Sequence, residues 1–336
     1  MKDSFGALLA LIMVCFAVAC GAANVTPSPS PTPTATPLPP PVTAEPATPT
    51  LTPLPSATPP ATAAPSLDFD GDISYEYLQL QMSFGPDRWP GTEGHQQTGD
   101  FIAAELAELG WQVEIQPFTY NDVAVRNIIG KANIGRGPVI IIGAHYDTRR
   151  IADQTAGAVQ NELSVPGAVD GASGVAVLLE LARTINLDDV PREIWLAFFD
   201  AEDNGSGGIP NWDWIAGSTH MANNLTVTPE AMVLVDMVGD ADQQLYYEGN
   251  SNVELRERLW EIAAMLGHGD YFIPELRHTM IDDHLPFARL GIPAVDIIDF
   301  DYPYWHTVED TADKASPESL WRVGQTIEYW LETDLE

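Results

Sequence analysis

An α/β fold in three layers, with a mostly parallel central sheet and helices on both faces, is what this sequence predicts. Three observations carry the expectation. Residues 139–142 (Val-Ile-Ile-Ile), 194–199 (Ile-Trp-Leu-Ala-Phe-Phe) and 232–235 (Met-Val-Leu-Val) are apolar without alternation, as strands covered on both faces must be. Segments with helical periodicity stand between them, the pattern of a sheet built from crossovers. Polar side chains suited to chemistry, His145, Glu202, Asp203 and Asp236, follow or end those runs. They would then lie at the carboxyl edge of the sheet, where α/β folds bind their ligands.

The elements follow in chain order. Residues 95–109 place Ile102, Leu106 and Leu109 on one helical stripe, and Gly110 ends it. Residues 113–118 and 125–130 read as strands. Residues 174–185 carry Val177, Leu178 and Leu181 on one helical face. Ser251-Asn252-Val253-Glu254 has the spacing of a capping box, which predicts a helix opening at Ser251 and ending near Gly267. Ser316-Pro317-Glu318 supplies a cap and a first-turn proline for the last helix.

Three regions divide the 336 residues. In residues 1–20, Lys2 precedes an apolar run, 7–19, that is too short for a stable membrane anchor and ends in Ala17-Val18-Ala19, a pattern of export signals. Cys20 follows at once. The junction resembles a bacterial lipoprotein cleavage box, although Ala17 stands where Leu is usual. The resemblance implies lipidation of Cys20 and a cell-surface location, with plain secretion as the alternative. Residues 21–66 are rich in Pro and Thr and bury too little apolar surface to offset ordering entropy, so a disordered stalk is expected. Residues 67–336 form the expected catalytic domain.

Bulk chemistry excludes some functions. The chain has 48 acidic and 15 basic side chains, a formal charge of −33, which repels nucleic acid and anionic lipid headgroups. A membrane would be met only through the lipid on Cys20. The two cysteines are Cys15 and Cys20, so the domain has no disulfide and no cysteine ligand for a metal.

Two imidazoles and three carboxylates remain as a candidate metal set: His145, Asp170, Asp203, Asp236 and His306. They suffice for one or two zinc ions and leave coordination positions open, as a catalytic site requires. Glu202, beside Asp203, is placed to carry a proton.

In this order, His145-Tyr146-Asp147, Gly167-Ala168-Val169-Asp170, Phe199-Asp200-Ala201-Glu202-Asp203, Gly217-Ser218-Thr219-His220, Val235-Asp236-Met237-Val238-Gly239, Asp282-Asp283-His284-Leu285-Pro286-Phe287 and Trp305-His306-Thr307 resemble the zinc exopeptidase family of bacterial aminopeptidases and glutaminyl cyclases. The likeness spans about residues 83–331. It implies that the five residues above ligate metal, with Asp170 bridging if two ions bind, and that Glu202 is the general base. Asp203 departs from the Glu that many relatives carry. The resemblance also implies peptide substrates, with Asp282 catalytic and Trp305, Trp212 and Tyr302 binding substrate. Two reactions share the ligand set. Aminopeptidase hydrolysis is the first expectation, because hydrolases are the more numerous branch. Cyclisation of an N-terminal glutamine is the alternative, favoured by Trp305 before His306 and by the Asp282-Asp283-His284 segment. A third class, an inactive peptide-binding module, would have no need of Glu202 beside Asp203.

Overall fold

Residues 67–155 and 162–335 are described by the structure, a computed structural model. The expected export signal, Cys20 and the Pro/Thr-rich stalk lie outside the described residues. The described chain runs α1 (Gly71–Met82), α2 (Glu93–Glu108), β1 (Gln112–Tyr120), β2 (Val123–Ala132), β3 (Val139–His145), α3 (Ala172–Thr184), β4 (Glu193–Phe199), α4 (Ala216–Asn223), β5 (Ala231–Asp236), β6 (Leu245–Glu248), α5 (Val253–Met265), β7 (Phe272–His278), α6 (Leu285–Arg289), β8 (Ala294–Ile298) and α7 (Pro317–Thr333). None of these helices is long and apolar enough to cross a membrane.

Six strands form the main sheet in the order β1-β2-β4-β3-β5-β8. The four from β4 to β8 are parallel, with pairs such as Ile140↔Ile194, Ile142↔Val233 and Val235↔Ile297. The β1–β2 hairpin adds an antiparallel edge, β2 pairing β4 through Ile128↔Phe198. Its two-residue turn, Asn121-Asp122, has φ of +44° and +67°, the left-handed pair that matches the strand twist. β6 and β7 make a separate two-stranded sheet.

Alternation along the central strands assigns the layers. Ile140, Ile142, Leu196, Phe198, Val233 and Val235 pack into one core with residues of α1, α2, α3, α5 and α7. Val139, Ile141, Trp195, Ala197, Met232 and Leu234 face the other way, onto Met221 of α4 and Phe287 of α6. The expected three-layer α/β arrangement is therefore present, with most helices on one face.

Local signals decide the helix ends. Thr92 caps α2, accepting from the His95 amide, so the helix starts two residues before the expected His95; Gly110 follows its end with φ +86°. Ser316 caps α7 as expected, worth about 1 kcal/mol. The capping box at Ser251 is a correction. Asn252 caps α5 by accepting from Leu255 N, while the Ser251 hydroxyl donates to Glu248 and accepts from Asp296 N. Ser251 is thereby spent on joining β6 to β8.

Candidate active site

The carboxyl edge of the parallel strands gathers the predicted residues. His145 ends β3 and Asp236 ends β5; Glu202 and Asp203 follow β4; Asp170 immediately precedes the glycine that opens α3; His306 lies on the segment after β8. All six are buried. The close turn at Asp170 requires Gly171, whose φ is +98°. A β-carbon there would sit 3.0 Å from the Asp147 carbonyl oxygen and 3.1 Å from His145 Cε1. Ala201, Met237 and His306 also have positive φ, +56°, +50° and +55°. Each adjoins or is a site residue, and such backbone is costly for a side-chain-bearing residue unless its surroundings hold it.

Two overlapping donor clusters result, His145–Asp170–Asp236 and Asp170–Asp203–His306, each with ligand atoms within 4.8 Å of one another. His145 Nε2 is 3.1 Å from Asp236 Oδ1 and 3.2 Å from Asp170 Oδ1. His306 Nε2 is 2.9 Å from Asp203 Oδ1 and 3.6 Å from Asp170 Oδ2. The other ring nitrogens are held from behind: His145 Nδ1 lies 3.1 Å from the Asp147 carbonyl, and His306 Nδ1 3.3 Å from Asp153 Oδ1. Such partners fix the tautomer of a metal-binding imidazole. The Asp147 carboxylate accepts from Glu202 N, Asp203 N and Asn204 Nδ2, which clamps the loop carrying base and ligand. Asp310 accepts from Val169 N and Asp170 N and so holds the backbone that carries the Asp170 carboxylate.

The field at the site favours a cation. Burial alone would lower both histidines, yet Asp236 and Asp170 hold His145 well above its ordinary value, and Asp203 and Asp153 raise His306 to about 9. Burial, with Asp203, Asp283 and Asp147 adding, pushes Glu202 well above the carboxylate range although the His145 charge opposes it. Asp170 Oδ2 and Asp203 Oδ2 are buried with no hydrogen-bond partner. An orphaned buried polar atom costs about 1–3 kcal/mol, more when charged. Two of them beside one histidine, in the Asp170–Asp203–His306 cluster, fit a bound metal ion.

A family model for "Peptidase family M28" matches residues 127–331. The chain belongs to peptidase family M28. Zinc is the cofactor that this family and this donor set give. Among solved structures, a leucine aminopeptidase precursor from Bacteroides thetaiotaomicron is 34% identical with a TM-score of 0.75, over 79% of this chain and 97% of its own. A glutaminyl cyclase from Bacteroides thetaiotaomicron, bound to N-acetylhistamine, is 33% identical with a TM-score of 0.75, over 80% and 99%. A curated glutaminyl-peptide cyclotransferase-like protein of Bos taurus is 25% identical over 283 residues, 73% of this chain and 71% of that protein.

Above the ligands of this M28 chain opens a cavity of about 250 Å³. Its floor is Asp170, Glu202, Asp203, Asp236 and His306; Trp214, Met280, Ile281, Ile298, Phe300 and Trp305 wall it. Asp282 and Trp305 line it, as expected. Asp282 is buried, and burial with the neighbouring charges of Asp296, Asp236 and Glu202 holds it well above the carboxylate range. Trp212 and Tyr302 do not line it. Trp212 is buried edge-on to Tyr120 under the β1–β2 hairpin, an apolar cluster that claims the ring. Tyr302 is buried with its hydroxyl donating to Asp310 at 2.7 Å, so it supports Asp170 from behind. A second indole at the pocket, beside Trp305, is Trp214, two residues beyond Trp212.

Sequence reasoning assigned no role to Asp147, Arg149, Asp153, Asp310 or Phe300. Only Asp147 carried a local signal, two residues after His145. The others reach the site through loops whose path no periodicity encodes.

Proposed function

We propose that this protein is a glutaminyl-peptide cyclotransferase, closing an N-terminal glutamine of a peptide to pyroglutamate with release of ammonia. The observation that carries the reading is the uneven satisfaction of the two clusters. Within the two clusters the orphaned carboxylate oxygens are Asp170 Oδ2 and Asp203 Oδ2, both on residues of Asp170–Asp203–His306, with Asp170 shared by the other cluster. In the other cluster His145 Nε2 is engaged by Asp236 and Asp170 together. A single cation at Asp170–Asp203–His306 would meet both of those oxygens. Cyclisation needs only one, because the nucleophile is the substrate's own α-amine and no second ion has to activate water. The glutaminyl cyclases among its similar proteins support the same choice.

Zinc held by Asp170, Asp203 and His306 would polarise the side-chain amide carbonyl of the glutamine. Glu202 takes a proton from the α-amine as its nitrogen bonds to the amide carbon, then delivers a proton to the departing nitrogen, which leaves as ammonia. Asp282 binds the amide from the cavity wall, its raised pKa favouring the form that donates a hydrogen bond. Trp305 and Trp214 shut out bulk water, which would otherwise compete as nucleophile.

A second reading, aminopeptidase hydrolysis, is favoured by one feature: the two clusters share Asp170, the layout of a two-metal site. Zinc stoichiometry separates the two. One zinc per chain, retained in His145→Gln and lost in His306→Ala, supports the cyclase. Two zinc ions per chain, one of them lost in His145→Gln, supports hydrolysis and overturns the proposal.

A further inference from the structure

One guanidinium ties together three parts of the site that have so far been described separately. Arg149 follows β3 by four residues and is 2% exposed. Its Nη2 donates to Asp153 Oδ2 at 2.5 Å and its Nε to the same oxygen at 3.2 Å, while the other Asp153 oxygen faces His306 Nδ1. Its Nη1 donates to the backbone carbonyls of Asp203, at 2.8 Å, and Gly205, at 3.1 Å, and lies 4.0 Å from Asp203 Oδ1. Its Cζ stands 4.8 Å from the ring centre of Trp214. Trp214 in turn runs nearly parallel to His306, with centroids 6.0 Å apart and planes 14° from parallel. The plane of one arginine thus reaches a zinc ligand through its carbonyl, the other ligand through a carboxylate, and the pocket wall through a π face.

The loop between β4 and α4 is shaped to admit this group. A β-carbon on Gly205 would fall 2.6 Å from Trp214 Cγ and Cδ2, and one on Gly208 would fall 3.1 Å from Arg149 Nη1. A side chain at Gly205 would displace the indole, and one at Gly208 would meet the Asn204 Cα at 2.9 Å before it crowded the guanidinium. The same loop supplies Asn204, whose amide oxygen accepts from Arg150 N and whose NH2 donates to Asp147.

We propose that Arg149 is a positioning residue that sets the Asp203–His306 half of the zinc site and the Trp214 wall as one unit, so that zinc affinity and substrate affinity depend on a common group. The zinc-affinity part of the inference rests on the assignment of zinc to Asp170–Asp203–His306, and its substrate-affinity part rests also on the proposed cyclisation. A lysine cannot replace the arginine, because a single ammonium does not span Asp153, two carbonyls and an indole face in one plane.

The test uses the full chain, stripped of zinc and then titrated with zinc alone against a chromophoric chelator, with melting of the zinc-free protein and KM and kcat on a glutaminyl peptide measured alongside. Arg149→Lys and Asp153→Asn are each expected to weaken zinc binding by about 10–100-fold, the scale for partners behind a metal ligand. The zinc-free melting temperature should stay close to that of the unmodified chain. The double variant should lose less zinc affinity than the product of the two single losses, because both changes cut the Arg149–Asp153–His306 link. Trp214→Phe should raise KM while leaving zinc affinity unchanged. Wild-type zinc affinity in Arg149→Lys overturns the proposal, as do multiplying losses in the double variant or a collapse of the zinc-free fold in Arg149→Lys. His306→Ala serves as the control: if it still binds zinc at wild-type affinity, the failure lies in the zinc assignment itself.

Discussion

The Trp305 indole lies on the imidazole of His306, its neighbour in the chain, with ring centroids 3.8 Å apart and planes 25° from parallel. The positive φ of His306 allows two successive side chains to share one direction, where ordinary extended backbone would send them to opposite sides. Phe300 meets the indole edge-on at 5.0 Å and His278 meets Phe300 at 5.5 Å, so an aromatic run connects the metal ligand to the end of β7. Trp305 therefore both walls the cavity and fixes the ring of a candidate metal ligand.

Replacing Trp305 with Ala removes both functions. We expect KM to rise and kcat to fall, with a combined loss in kcat/KM of about 10–100-fold, the range that outer-shell support of a ligand carries. Zinc should remain bound, since Asp170, Asp203 and Asp153 are untouched. Steady-state kinetics with metal analysis checks this; unchanged kcat/KM would show the indole to be packing only.

Glu202→Gln keeps the shape and the backbone bond to Asp147 but removes the proton acceptor. Turnover should fall by about 10²–10⁴-fold with zinc retained. Turnover close to that of the unmodified chain would remove Glu202 from the proton path.

Much of this was legible in the sequence, for identifiable reasons. The central strands announced themselves because burial on both faces demands unbroken apolar runs, and His145, Asp203 and Asp236 because they end or closely follow those runs. β8 was missed because its five residues carry the buried Asp296 at the centre, which interrupts the apolar signal. Asp296 is tolerated there because its carboxyl is held well above its ordinary value, burial and the charges of Asp236 and Glu248 favouring the neutral form. The supports of the site were illegible for another reason. Arg149, Asp153 and Asp310 act through loop geometry, and which of Trp212 and Trp214 faces the cavity depends on a turn of three residues. Ser251 was misread because hydroxyl at the right spacing has two uses, and tertiary bonding to Glu248 and Asp296 outweighed the local cap.

The rim offers a route to specificity. Ile281 is 62% exposed and lines the cavity together with Met280 and Trp214, an apolar lip that the proposed reaction would set against the second residue of the peptide. Ile281→Glu should favour glutaminyl-lysyl over glutaminyl-leucyl peptides by up to about fivefold, the worth of an exposed charge pair of about 0.2–1 kcal/mol. Competition between the two peptides reads the ratio directly. An unchanged ratio would place the second residue elsewhere.

A pH effect is expected far from the site. Glu332 on α7 is half-buried and accepts from Asn186 N; burial, with Glu328, Asp189 and Asp68 adding, raises it to about 7. Between the unfolded value near about 4.3 and 7, the folded chain holds more protons at this group than the unfolded chain does. Stability contributed here therefore falls as pH rises through that window, and above 7 the penalty is constant. Glu332→Gln keeps the acceptor for Asn186 and removes the charge. Its melting temperature should exceed that of the unmodified chain at pH 8 and converge with it near pH 4, as thermal melts across pH would reveal; a constant difference at every pH would contradict the assignment.

The most direct measurement offers zinc-loaded protein a peptide with N-terminal glutamine and, separately, an aminoacyl amide, and identifies the products by mass. Cyclisation at a single-zinc site predicts that the glutaminyl peptide loses one ammonia, keeps its length and resists sequencing from its N-terminus, while the amide is left intact. Release of free amino acid from either substrate, with no cyclic product, would contradict that claim and leave hydrolysis as the reaction of this site.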